Sequence, residues 1–138
     1  MLGRALPAAA AVGFTAAALM HLASFTPLGE RIADGWLLAL FVGAFALLGA
    51  MLIRLRRGET PARGWKHLRI YDWRALAGRV PLPLQGLVAA TAAYSVLNFG
   101  LSLLSEAGSL RIASGQLLLF YLLPLVYFRF VDSARPGI

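Results

Sequence analysis

One histidine, three tyrosines and a stripe of hydroxyl and amide side chains carry the chemistry available within the apolar runs of this chain. His21 falls near the end of the first run, and Gln116 and Tyr121 fall within the last. Thr91, Tyr94, Ser95, Asn98 and Ser102 are spaced at 0, 3, 4, 7 and 11 residues, which is one face of a helix. Unsatisfied polar groups are costly in hydrocarbon, so such a stripe should turn inward toward other helices. Two readings are open for His21, Tyr94, Asn98, Ser102, Gln116 and Tyr121. They are interhelical hydrogen-bond contacts, each worth about 0.6–2 kcal/mol, or they line a small pocket for a ligand such as a quinone headgroup.

Other chemistries have little to stand on. There are no cysteines, which removes disulfides, thiolate metal sites and cysteine nucleophiles. No apolar run contains Asp or Glu, so paired-carboxylate hydrolysis and a mid-depth proton carrier lack their groups. Glu30, Asp34 and Glu106 fall in short connections, where solvated charge is the ordinary explanation. No cluster supplies the three or four ligands of a zinc site, and no glycine-rich phosphate loop is present. Bis-histidine haem ligation would pair His21 with His67, which lies on the far side of a membrane in the topology below; His21 with another axial group stays open. No cofactor and no metal are expected, and catalysis is the least favoured function.

The elements that must position these residues follow from composition. Of 138 residues, 59% are hydrophobic and only 14% charged, against about a quarter charged in a soluble domain. A helical span needs about 20 apolar residues. Four stretches answer to that: about 5–25, 36–53, 82–104 and 112–131, the third opened by Pro81 and Pro83. The runs are long and apolar on all sides, unlike the short alternating strands of a barrel. The expectation is an all-α transmembrane four-helix bundle forming one membrane domain. The first run also resembles a signal peptide, but it is longer than the usual apolar core of one, so it is read as a retained span.

Charge orients the bundle. Eight of the thirteen Lys and Arg residues lie in the connection 54–81. With Arg4, Arg129 and Arg135, eleven fall on one side of four spans, and Arg31 and Arg111 fall on the other. The positive-inside bias then predicts N-in and C-in, with the basic connection in the cytoplasm. Twelve arginines against one lysine, with abundant alanine, fit a GC-rich bacterial genome and hence a bacterial inner membrane. Within the connection, Arg54, Arg56, Arg57, Trp65, Lys66, Arg69, Tyr71, Trp73 and Arg74 interleave basic and aromatic residues. Single-stranded nucleic acid can use that pattern, but beside two spans it describes a segment lying on anionic headgroups. Anionic lipid is the expected partner and nucleic acid is not.

Packing in lipid relies on small residues. Ala9, Gly13 and Ala17 make one ridge, which His21 continues, and Ala39, Gly43, Gly49 and Ala50 make another. Pro124 frees the carbonyl near Phe120 and predicts a kink. By rise per residue, His21 sits roughly 6 Å and Asn98 roughly 9 Å below the outer ends of their helices, with Tyr121 at a similar depth.

Three fragments, "HLASF" at His21–Phe25, "AYSVLNF" at Ala93–Phe99 and "SGQLLLFY" at Ser114–Tyr121, resemble a group of small bacterial four-span membrane proteins. In that group the last span opens with a Ser-Gly-His-like start. Gln116 stands here where the histidine would be, so a metal or proton role at that position is not implied. The resemblance implies four spans and no particular activity. The expected function is a non-enzymatic accessory or interaction subunit docking a membrane-protein partner or a second copy. The alternative is a small-ligand binder or transporter, with a haem-binding or enzymatic protein third.

Overall fold

The computed structural model describes residues 2–31, 34–57, 78–104 and 109–132. Its elements are α1 (Leu2–Ala23), a single 3-10 turn (Gly29–Arg31), α2 (Asp34–Arg57), α3 (Leu82–Leu104) and α4 (Ser109–Val126), the last continued by a π-helical segment (Tyr127–Asp132). All four helices are long and apolar enough to cross a bilayer, and no strand occurs among the described residues. The protein is therefore an all-helical, multi-pass membrane protein. Helices 1, 2 and 4 begin two or three residues before the apolar runs do, and α2 carries on through Arg57, four residues past its run.

Local chemistry explains the ends. The last carbonyls of α1 are taken up by the Ser24 hydroxyl, which donates to His21 O at 2.6 Å, and by Thr26 Oγ1, which donates to Ala23 O at 2.8 Å. The same two carbonyls also accept from the Ser24 and Thr26 amides, so the end of the helix is closed twice over, and Pro27 follows to prevent continuation. At the start of α3, Pro81 and Pro83 sit where no amide donor is required. The Pro81 carbonyl accepts from the amides of Leu84 and Gln85.

The helices are arranged around α4. It packs against α1, α2 and α3, whereas α1 and α2 share a smaller contact. About 44% of the α4 span is buried, against 11% for α2 and 17% for α3. The bundle is thus a hub with three surrounding helices rather than a closed square of four equal members. Contact register fixes their directions. His21 meets Ser114 while Gly13 meets Tyr121, so α1 and α4 are antiparallel. Tyr121 bonds Leu40 while Asp132 pairs with Arg54, so α2 and α4 are parallel. Ser95 bonds Gly115 while Asn98 bonds Arg111, so α3 is again antiparallel to α4.

Small residues decide which faces meet, although not all of those expected. Ala10, Gly13 and Ala17 are buried on α1, and Ala44 on α2, while Ala9 and Ala39 point outward. Gly49 has open space where a Cβ would stand. The ridge on α1 is therefore set by the 3- and 4-residue alternation of a packed helix face rather than by strict four-residue steps. α4 does not stop at Pro124. It continues to Val126 and then widens into the π-helical segment, whose Tyr127, Phe128 and Val131 are buried. Pro124 removes one helical donor, and the wider turn lies just beyond it.

That segment delivers Asp132 to Arg54. The two form an ion pair with side chains 28% and 18% exposed, and the Arg54 guanidinium lies 5.6 Å from the Phe128 ring centroid. Arg54, expected on lipid headgroups, is thus engaged within the bundle. Sequence spacing gives no hint of this, because the partner is 78 residues away.

Candidate functional site

At the end of the bundle opposite the α1 N-terminus, His21 reaches from the last turn of α1 into the space between α3 and α4. Its Nδ1 lies 2.9 Å from Ser114 Oγ and its Nε2 lies 2.5 Å from the Tyr94 hydroxyl. Both ring nitrogens are engaged, and His21 itself is buried. Two proton arrangements satisfy the chain. Either Tyr94 donates to Nε2 and Nδ1–H donates to Ser114, or Ser114 donates to Nδ1 and Nε2–H donates to Tyr94. The first leaves the Ser114 hydroxyl free to donate to the Arg111 carbonyl, 3.4 Å away. Phe25 meets the imidazole edge-on at 5.2 Å and Tyr94 does so at 5.5 Å.

The α3 stripe engages α4 through side-chain donors and backbone acceptors. Ser95 Oγ donates to Gly115 O at 3.0 Å, and Asn98 Nδ2 donates to Arg111 O at 3.1 Å. In return Gln116 Nε2 donates to Ser95 O at 2.9 Å. Helical carbonyls keep a second lone pair after their intrahelical bond, which is why polar side chains can join two helices without unwinding either. Gly115 makes the approach possible, since a Cβ there would overlap the Asn98 amide. Ser102 is buried one turn beyond Asn98.

Of the six residues singled out by type and spacing, His21 and Tyr94 bond directly, and Asn98 and Gln116 lie in the adjoining α3–α4 contact. Gln116 also borders an open groove of about 370 Å³ with Val96 and Phe99. Tyr121 lies elsewhere. Its ring fills the space left by Gly13, and its hydroxyl donates to Leu40 O on α2 at 2.7 Å. It is seven residues beyond Ser114, so about 10 Å deeper along α4. Even counted from Ile112, Tyr121 is nine residues and so roughly 13 Å into the helix, which is below rather than level with His21.

Two participants lie outside those six residues. Ser114 is one serine among several, and only the α1–α4 register selects it as the partner of His21. Arg111 was read as a loop charge, yet its carbonyl is the acceptor for Asn98 and its guanidinium lies 4.0 Å over the Phe25 ring. Among the described residues no group of three or more His, Cys, Asp or Glu could hold a metal ion. For His21 to ligate haem, Ser114 or Tyr94 would have to let go of it. Trp65, Lys66, Arg69, Tyr71, Trp73 and Arg74 lie outside the described residues, as do the side chains of Arg56 and Arg57.

Comparisons with family models, with curated proteins and with solved structures found no match.

Proposed function

We propose that this is a non-enzymatic interaction subunit of a bacterial inner membrane, which docks a membrane-protein partner or a second copy through α2 and α3. The observation that carries the reading is that the polar groups hold one another. Both nitrogens of His21 are engaged, and the Ser95, Asn98 and Gln116 side chains each reach a carbonyl of the neighbouring helix. Such a set stabilises a scaffold and leaves few donors directed at a ligand. The scaffold presents two helices that touch the hub by one face only. Leu38, Val42 and Phe45 on α2, and Leu97 and Leu101 on α3, are exposed. In this reading both chain ends and the basic connection are cytoplasmic, as the Lys and Arg asymmetry favours, and the connection rests on anionic headgroups.

The test is site-specific photocrosslinking in cells, with benzoylphenylalanine in place of Phe45 or Leu97. A discrete protein adduct, either a partner or a dimer, is the expected result. Adducts to lipid alone at both positions overturn the reading. A reporter within residues 58–77 is expected to respond from the cytoplasm, and a periplasmic signal would reverse the orientation.

A second reading, a small-ligand binder open toward the periplasm, is favoured by one observation. Tyr94 is 40% exposed although its hydroxyl is bonded to His21. His21→Ala and Asn98→Leu separate the two. Activity falling only in proportion to membrane abundance marks structural contacts. Activity lost at normal abundance marks a binding site.

A further inference from the structure

Arg111 is held in a way that other described arginines are not. Arg31, Arg79 and Arg129 are exposed and Arg54 is paired with Asp132, whereas Arg111 is half-buried in the first turn of α4. Its Nε is fully covered and has no hydrogen-bond partner among the described residues. The guanidinium lies 4.0 Å from the Phe25 ring centroid, a stacked contact. Its backbone is fixed too, because the Arg111 carbonyl accepts from Asn98 at 3.1 Å and from Ser114 at 3.4 Å. A freely snorkelling arginine would swing its charge into water. This one is oriented before any ligand arrives.

Among the described side chains the guanidinium has no counter-charge beside it. The one carboxylate among them, Asp132, is paired with Arg54 at the opposite end of the bundle, and the side chains of Glu30, Asp34 and Glu106 lie outside them. A cation partly withdrawn from water is unfavourable unless an anion joins it. The planar fork of a guanidinium matches the oxygens of a phosphate, to which it can donate two parallel bonds. A phosphate is also what the headgroup layer supplies at the end of a membrane span.

We propose that Arg111, stacked on Phe25 and tied through its carbonyl to Asn98 and Ser114, is the anchor of a binding site for a phosphate ester. The ester is either the headgroup of a lipid or a free phosphorylated molecule. The site stands apart from the docking role proposed above, because it rests on side-chain geometry at the opposite end from Arg54 and Asp132.

The experiment is native mass spectrometry and calorimetry on detergent-purified protein, with dioctanoyl phosphatidylglycerol, glycerol 3-phosphate, inorganic phosphate and neutral dioctanoylglycerol as probes. Lipid held by the basic connection is common to all variants and cancels. Arg111→Gln is expected to weaken phosphatidylglycerol binding about tenfold, the loss of one charge-assisted contact. Arg111→Lys, which keeps the charge but not the fork, should fall between. Binding of phosphatidylglycerol without the two free phosphates identifies a lipid site. Binding of all three identifies a site for phosphate esters generally. Equal binding by wild type and Arg111→Gln overturns the proposal. So does tenfold tighter binding on Glu30→Gln or Glu106→Gln, which would assign the guanidinium an internal carboxylate. Should Arg111→Gln fail to fold, Phe25→Leu, which removes the stacking face alone, is expected to weaken binding several-fold, and no change there overturns it equally.

Discussion

The α1–α4 seam closes by shape, and the α3–α4 seam closes by polar side chains that donate to backbone carbonyls. On the first, the Tyr121 ring lies in the gap left by Gly13, and Ala10 and Ala17 let the helices approach. On the second, Ser95, Asn98 and Gln116 make three bonds of 2.9–3.1 Å to main-chain oxygens. His21 is where the two seams meet, since its ring nitrogens reach Ser114 on α4 and Tyr94 on α3. Lipid offers helices little hydrophobic reason to associate, so close packing and hydrogen bonds must supply it. Shape dominates one side of the hub helix and hydrogen bonds the other, although His21–Ser114 and Gly115 lend each seam a share of the other device. Shape has no gradual failure mode, whereas hydrogen bonds can be removed one at a time.

That contrast orders the expected effects of mutation. The largest belongs to Gly13→Leu, which drives a branched side chain into the Tyr121 ring. Overpacking of this kind costs about 1–3 kcal/mol or more, and it also endangers the bond from Tyr121 to Leu40. Thermal unfolding in mild detergent, followed by circular dichroism, should show the α1–α4 seam failing as a unit; an unchanged midpoint would show that the seam adapts. Next comes Gly115→Ala, whose new Cβ overlaps the Asn98 amide. The expected loss is about 1 kcal/mol, the scale of one intramembrane hydrogen bond. In an Asn98→Ala background the same change should cost much less, and strict additivity would argue against the contact. The smallest effect is Gly49→Ala. No atom lies within 4 Å of the added methyl, so the change should be neutral or stabilising by up to about 1 kcal/mol.

How far these seams could be anticipated from sequence differs between them, for a physical reason. The α3 stripe was legible because a helix places residues at offsets of 3, 4, 7 and 11 on one face, and Ser95, Asn98 and Ser102 are indeed the buried residues of that helix. Their acceptors were not legible, since every residue carries a carbonyl and only helix register decides which one is used. The four spans followed from length and apolarity. Tyr121 is misplaced for want of register, because only the pairing of His21 with Ser114 and of Gly13 with Tyr121 sets its depth relative to the histidine. Gly43 was anticipated as a close-approach residue, and the Tyr121 hydroxyl lies 2.7 Å from where its Cβ would stand. Gly49, on the same expected ridge, faces nothing. The Arg54–Asp132 pair was invisible because neither residue is unusual in its own neighbourhood.

The hub arrangement has a consequence for biosynthesis. Helices α1, α2 and α3 leave the ribosome before the helix that each of them needs most. Until residues 109–132 have entered the bilayer, His21 lacks Ser114, and Ser95 and Asn98 lack the Gly115 and Arg111 carbonyls. A nascent chain arrested before that point should be inserted yet unassembled, and open to membrane proteases throughout the wait.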